Sequence, residues 1–400
     1  MYLQFPPVGY EEHVWLAEPD GMSPRARRAG ASGSYRSAIP APITGYSPTL
    51  PSEMAAAVEE AASALAQFDA YAQSALGPVG PPPMGAILLR TESASSSQIE
   101  QLTVGARQLA LAEINQSTSE NAATVVGNVR AMESALAWMG PVSQEAVLTI
   151  HHTLLSHQPG WEEHAGRYRD QLVWVGRSGL GPVGASHVAP QPELVPRAMD
   201  DLVDFMARSD LPILVQVAVA HAQFETIHPF VDGNGRTGRV LIHAMLRVSG
   251  LVTHTTIPIS AGLLTDTKGY FEALTAYRNG DAGPIVQRFT DACCFAANSG
   301  RQLIHDLTSQ LDADRTVLEG LRPQAAAWRV LPWLAAHPVV NARLLVDEFG
   351  LNNVGAQRAL TQLTEAGILV ERTGSRRNRV WQHDSILRIL DAYAAKLRRE

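Results

Sequence analysis

Residues 228–239 read HPFVDGNGRTGR. Proline at 229 turns His228 away from helical backbone, and glycines at 233, 235 and 238 each cost a helix about 1 kcal/mol. The flanks are nevertheless helical. Upstream, Leu211, Leu214, Val217, His221 and Phe224 recur at three- and four-residue spacing, with Asp210 as the expected cap and Pro212 in the first turn. Downstream, Val240, Leu241, Ala244 and Val248 form one apolar side, and Gly250 ends the segment. The chain must therefore fold with two helices meeting at a glycine-rich turn. A turn this costly calls for a compensating ligand.

The residue types say what kind. Gly233 and Gly235 let backbone N–H groups approach an anion, and a helix N-terminus adds its positive end. Arg236 and Arg239 are three apart and share a helix face, which suits a multiply charged phosphate chain. Asp232 is a hard oxygen ligand, suited to Mg²⁺ shared with phosphate oxygens. His228 is the candidate general base. Together they describe nucleotidyl or phosphoryl transfer. GNGRTG also fits G-x-G-x-x-G, but a dinucleotide fingerprint needs a preceding strand and an acid about 20 residues on. Here a helix precedes, and the next acid is Asp266.

The stretch resembles the signature of the Fic (filamentation induced by cAMP) family, His-x-Phe-x-Asp/Glu-Gly-Asn-Gly-Arg-x-x-Arg, at every fixed position. The resemblance implies a mainly helical fold and transfer of AMP from ATP to a protein hydroxyl. It implies that His228 deprotonates the acceptor, Asp232 holds Mg²⁺, and Gly233, Asn234 and Gly235 line an anion hole. Arg236 and Arg239 would grip the outer phosphates, with Phe230 packed beneath the loop. QLVWVGRSGLGPVGASHVAP (171–190) reads as a hairpin around a glycine-rich turn, where the family carries a flap that clamps an extended target segment. YFEALTAYRNGD (270–281) resembles the family's adenine-side segment, implying Tyr270 and Asn279 as nucleotide contacts; a plain amphipathic helix is the alternative. ASSSQIEQLTV (94–104) resembles the family's inhibitory motif, Ser/Thr-x-x-x-Glu-Gly/Asn, with Ser96 and Glu100 in its fixed places and Gln101 where the family has Gly or Asn. By that resemblance Glu100 pairs with Arg239 and displaces the γ-phosphate.

The expected organisation is an all-α chain. A flexible arm covers 1–51, with Arg25, Arg27 and Arg28 in a Pro-, Gly- and Ser-rich stretch. A helical domain with the inhibitory helix spans 52–140. A Fic catalytic core with its β-hairpin flap spans 141–300, a helical linker 301–324, and a winged helix-turn-helix 325–400. In the last unit the recognition helix is expected over Asn353–Ala366, offering Gln357 and Arg358, with Arg376, Arg377 and Arg379 on the wing. Net charge is −7, yet residues 371–400 hold eight basic and four acidic side chains. Cys293 and Cys294, the only cysteines, are adjacent and give no disulfide framework. No apolar run approaches the roughly 18 residues of a membrane span, and no secretory leader is seen. The expected home is the cytoplasm, without a membrane partner.

The sequence thus reads as a protein adenylyltransferase (an AMPylator) using ATP and Mg²⁺ on a target protein's Ser, Thr or Tyr hydroxyl. Self-modification, DNA held by the winged helix and a homodimer are open partner readings. Two alternatives stand beside it: removal of AMP or transfer of another phosphate-containing group by the same loop, and a nucleotide-sensing DNA-binding regulator.

Overall fold

A computed structural model describes residues 2–16, 32–76, 83–138, 140–156, 158, 160–176, 181–372 and 378–397. Arg25, Arg27, Arg28, Arg376 and Arg377 lie outside these residues. The helices are α1 (Ser52–Leu76), α2 (Pro83–Ile99), α3 (Ala106–Glu113), α4 (Glu120–Ala137) and α5 (Gln144–Leu155). They continue as α6 (Val195–Met206), α7 (Ile213–Ile227), α8 (Asn234–Val248), α9 (Ile259–Leu264) and α10 (Thr267–Arg278). The last are α11 (Gly283–Leu318), α12 (Ala326–Val330), α13 (Ala342–Asp347), α14 (Asn353–Glu365) and α15 (Asp384–Lys396). Strands are short: β1 (Gly9–Trp15), β2 (Gly33–Ile39), β3 (Trp174–Val175), β4 (His187–Val188), β5 (Val339–Val340), β6 (Val370–Glu371) and β7 (Trp381–Gln382). They form antiparallel pairs β1–β2 and β3–β4 and a sheet of order β5-β7-β6. The fold is mainly helical, as expected. Among the described residues no helix is long and apolar enough to cross a membrane.

The chain divides into two compact units. The first comprises Met1–Glu60, Ala131–Gly250 and Thr267–Thr290. Its axis is α7, whose sequence ILVQVAVAHAQFETI is apolar nearly all round and is buried from Leu214 to Ile227. A helix of that kind must be surrounded, and α6, α8 and α10 pack on it while α5 packs on α6 and α8. Gln216 donates to the carbonyls of Phe205 (2.9 Å), Met206 (3.2 Å) and Arg208 (2.9 Å), at and just beyond the end of α6. Ser143 caps α5 as its side chain accepts from the Ala146 N–H at 3.2 Å. Pro212, rather than Asp210, stands at the N-cap of α7. The Asp210 carboxylate is bound by Arg208 at 2.7 Å, and that ion pair takes it away from the helix start.

The segment expected to be a flexible arm carries the β1–β2 ribbon, in register from Gly9↔Ile39 to Trp15↔Gly33. Composition misleads here because the ribbon is short and its inner face is aromatic: His13 stacks on Tyr35 at 5.3 Å and Trp15 meets Trp174 edge-on at 5.7 Å. The preceding residues are also anchored. Phe5 packs between Tyr46 and Tyr277, and its N–H donates to the Gly280 carbonyl at 2.9 Å.

The second unit comprises Ala61–Arg130, Leu251–Asp266 and Asp291–Glu400. Here α2 packs against α9, and the fully buried Glu92 accepts from the Ser260 N–H (2.8 Å) and hydroxyl (2.5 Å). The Asp69 carboxylate accepts the N–H groups of Thr253, His254 and Thr255. The stretch expected as a linker is largely the far half of α11, because Leu303, Ile304, Leu307, Leu311 and Leu318 continue one buried helical stripe. Beyond it, α13 and α14 begin with Asn341 and Asn352 as side-chain caps, followed by β6 and β7.

Glu100 stands at the C-cap of α2. Beyond it the Gln101 N–H donates to the Gln98 carbonyl (2.9 Å) and the Leu102 N–H to that of Ser97 (3.0 Å). This is a Schellman ending, and it forces Gln101 into left-handed backbone at φ 64°. The geometry explains why glycine or asparagine suits the position after the glutamate, since a residue with a branched or bulky side chain bears a left-handed penalty. Gln101→Gly should therefore stabilise the end of α2 by up to about 1 kcal/mol. Hydrogen exchange at the amides of 101 and 102 would read this directly; slower or unchanged thermal unfolding tells it from a variant that loosens the turn.

Candidate active site

The turn between α7 and α8 is bounded by two left-handed residues. His228 ends α7 at φ 48°, ψ 61°, and Gly233 begins α8 at φ 75°, ψ 10°. Left-handed backbone is costly for histidine, so surrounding contacts must hold it. Gly233 has a further reason to be glycine: a Cβ there would come within 3.0 Å of Leu154. Gly238 lets α8 approach α7, since its Cβ would meet Phe224 at 3.0 Å and Glu225 Oε1 at 3.2 Å.

Within the turn, Asn234 is a bracket. Its Oδ1 accepts the Phe230 N–H and its Nδ2 donates to the Phe230 carbonyl, each at 2.8 Å. The Asn234 side chain thus fixes the loop, leaving any part it takes in anion binding to its backbone N–H. The N–H groups of Asn234, Gly235 and Arg236 open α8 and have no acceptor within the helix. Phe230 is fully buried and stacks on His151, with ring centroids 3.6 Å apart and planes at 4°. His151 Nδ1 accepts the Gly166 N–H at 3.0 Å, so its Nε2–H donates to the Asp232 carbonyl, also at 3.0 Å. Burial, together with the nearby Arg236 charge, pushes the His151 pKa down to about 4, against the opposing bond to the Asp232 carbonyl. At neutral pH it is an uncharged strut beneath the loop.

The charged groups follow. Asp232 Oδ2 accepts from Arg236 at 2.7 Å, and the Asp232 side chain remains 35% exposed. Arg236 is 3% exposed, yet its Nε and Nη1 have no hydrogen-bond partner among the described residues. A buried guanidinium with open donors fits an anion. Arg239, one turn on, is 1% exposed. Glu225 Oε2 lies 3.6 Å from His228 Nδ1.

Sequence reading placed His228, Asp232, Gly233, Asn234, Gly235, Arg236 and Arg239 in one site, and the turn brings them together. Tyr270 and Asn279 differ in burial. Tyr270 is buried, its hydroxyl 2.7 Å from His221 Nε2, whereas Asn279 is exposed just beyond α10. Val248, expected on the apolar side of α8, is 49% exposed. Ser96 and Glu100 belong to the second unit: Ser96 is buried within α2 and Glu100 is exposed at its end. Sequence reading missed His151, Glu225 and Arg169. Arg169 Nε donates to the His228 carbonyl at 2.8 Å and its backbone N–H to that of Pro229 at 3.0 Å. Only the position of Glu225, three before His228 on one helix face, was a usable signal.

Comparisons with known proteins fall on this region. Residues 141–246 match the model of the Fic/DOC family. The chain is 32% identical over 155 residues to the Protein adenylyltransferase Fic of Nematostella vectensis, covering 38% of this chain and 32% of that one. It is 32% identical over 149 residues to Protein adenylyltransferase fic-1 of Caenorhabditis elegans, covering 36% and 26%. The match thus spans about a third or less of these relatives' length. Among solved structures, a Fic family protein from Desulfovibrio desulfuricans G20 superposes with a TM-score of 0.55 at 21% identity, covering 84% of this chain and 97% of that one. That likeness establishes the fold.

The buried strut gives a pH prediction. His151 takes up a proton at about pH 6.5 when unfolded and only near pH 4 when folded. Its contribution is therefore full above pH 6.5 and is lost as pH falls from there towards 4, by roughly 3 kcal/mol in all. His151→Gln keeps a donor for the Asp232 carbonyl but cannot titrate. Its Tm should fall less than that of the wild type on going from about pH 7 to about pH 4.5; equal losses would remove His151 as the titrating strut.

Proposed function

From the premise that this is a Fic family protein, with its Fic/DOC domain over residues 141–246, we propose that the chain is a protein adenylyltransferase. It transfers AMP from ATP to a hydroxyl of a protein target. The observation that carries this reading is the turn itself: a base, a carboxylate and a buried guanidinium with unfilled donors converge at the N-terminus of α8. The hydroxyl oxygen attacks the α-phosphorus, the bond from that phosphorus to the bridging oxygen breaks, and pyrophosphate leaves. His228 takes the hydroxyl proton. Glu225, near Nδ1, favours a proton there and leaves Nε2 as the base. The open donors of Arg236, with Arg239 on the same face, meet the outer phosphates, and the first N–H groups of α8 meet the α-phosphate side. Of the adenine-side pair, exposed Asn279 is the one free to contact the base.

Asp232 suits Mg²⁺. No group of three or more His, Cys, Asp or Glu able to hold a metal is found among the described residues, so one carboxylate would share the ion with phosphate oxygens, as Mg²⁺ commonly is shared. When bound, the ion neutralises phosphate charge as the leaving group departs.

Glu100 is proposed as a brake, on the Ser96–Glu100 spacing and on its exposed place at the Schellman end of α2. A carboxylate that satisfies Arg239 would misplace the γ-phosphate, and small misplacements are expensive in rate. One experiment tests base and brake together: initial rates of label transfer from α-labelled ATP into protein. His228→Ala should lower the rate roughly 10²–10⁴-fold, and Glu100→Gly should raise it in a His228-dependent manner. Near-normal transfer by folded His228→Ala would remove the base; an unchanged rate in Glu100→Gly would leave Glu100 as a surface residue. Release of label from modified protein, without uptake, would favour AMP removal.

One observation favours a second partner. The exposed face of α14 presents Asn353, Val354, Gln357, Arg358 and Thr361, with no acid before Glu365. Amides, an arginine and an aliphatic group are the set that reads base edges in a major groove, and β6 and β7 follow α14 and pair with β5 from before α13, the strand arrangement of a winged helix. We propose duplex DNA as that partner. Gel shifts at increasing salt should show binding that His228→Ala retains and Arg358→Ala weakens; no salt-sensitive shift would exclude this reading.

A further inference from the structure

Arg169 is 4% exposed and is surrounded by backbone carbonyls. Its Nε donates to His228 (2.8 Å), its Nη1 to Gln171 (2.9 Å), and its Nη2 to Pro190 (2.7 Å) and Ile227 (3.4 Å). Burial pushes this guanidinium's pKa down to about 10, partly offset by Glu193, so it stays charged at neutral pH. The four acceptors belong to two places. Gln171 lies on the leg entering the β3–β4 flap and Pro190 on the leg leaving it. Ile227 and His228 are the last residue of α7 and its left-handed cap. One planar fork therefore joins both legs of the flap to the backbone of the base.

A second tie runs parallel. His187, on β4, has its Nε2 2.9 Å from the Thr226 carbonyl. Three consecutive carbonyls at the end of α7, those of Thr226, Ile227 and His228, thus meet donors that also hold the flap region. The last carbonyls of a helix have no intrahelical partner, and bonds from a charged donor are the stronger kind. A left-handed histidine persists only where its surroundings over-determine it, and Arg169 is the charged donor to its carbonyl.

We propose that Arg169 is a positioning residue that couples the flap to the catalytic base, so that an acceptor segment seated on the flap sets the orientation of His228. The role in transfer rests on the adenylyltransferase reading; the mechanical coupling does not. Lysine at 169 would keep the charge, but one ammonium cannot reach acceptors arranged around a fork.

Hydrogen exchange on the full chain tests the coupling without any target or nucleotide. In Arg169→Lys the amides of 186–191 and of 226–235 should both exchange faster, each by roughly 10- to 100-fold, as expected for loss of hydrogen bonds to a charged group. Acceleration in only one segment, or in neither, overturns the proposal. The reciprocal change leaves Arg169 intact. Val188→Ala, at a buried flap position, should loosen 186–191 and also speed exchange in 226–235; a quiet 226–235 overturns the coupling even if Arg169→Lys does not fold. In label transfer from α-labelled ATP, Arg169→Lys should lower kcat while ATP affinity changes less than about threefold, because the fork touches no phosphate-binding group. If wild type transfers no AMP, the adenylyltransferase reading fails while the exchange result still decides the coupling.

Discussion

The functional unit depends on the left-handed backbone of His228. A left-handed residue ends the helix sharply, and Gly233, also left-handed, opens α8 five residues on. The conformation is unfavourable for histidine, so it exists only because its neighbours hold it. Arg169 bonds the His228 and Ile227 carbonyls, Asn234 brackets Phe230 on both sides, and His151 supports both Phe230 and the Asp232 carbonyl. The hydrogen bonds are all to backbone, and the His151–Phe230 contact is a ring stack. The loop is held largely by groups that bind main-chain atoms, so its conformation does not depend on the side chains proposed for chemistry.

Electrostatics follows from the same economy. The supports near the turn are neutral or bonded to neutral groups: His151 is held uncharged by burial, and burial lowers the His187 pKa well below its usual value. The cations that remain are guanidiniums, which stay charged where an imidazole would give up its proton. Arg169 is matched by four carbonyls, whereas among the described residues Arg236 pairs with Asp232 while its Nε and Nη1 have no partner. That contrast separates an arginine that builds the loop from the one proposed to take an anion.

Much of this was legible in the sequence. Helices α7 and α8, the turn between them, the Ser143 cap of α5 and the hairpin at 174–188 are local features, written in periodicity, glycine and proline. The arm over 1–51 was misread because a two-stranded ribbon packed through His13, Tyr35 and Trp15 leaves little trace in a stretch flanked by Pro, Gly and Ser. Asp210 was misread because its ion pair with Arg208 competes with capping. His151 and Arg169 were missed for one reason: their partners are carbonyl oxygens, which every residue has, so no residue type elsewhere in the sequence announces them.

The sequence by itself determined the candidate site residues and their spacing: His228, Asp232, the glycines, Arg236 and Arg239 sit within twelve residues, and helical spacing gives the two arginines a common face. It also determined the family resemblance and the mainly helical class. Only the tertiary structure decided how those residues are held. Folding brings Arg169 to residues 190 and 228, His151 to Asp232 and Tyr270 to His221, and it divides Tyr270 from Asn279 by burial. The physical reason is range. Periodicity and turn chemistry act over a few residues, whereas a buried donor's partner is chosen by packing of segments tens of residues apart, and no local pattern encodes that choice.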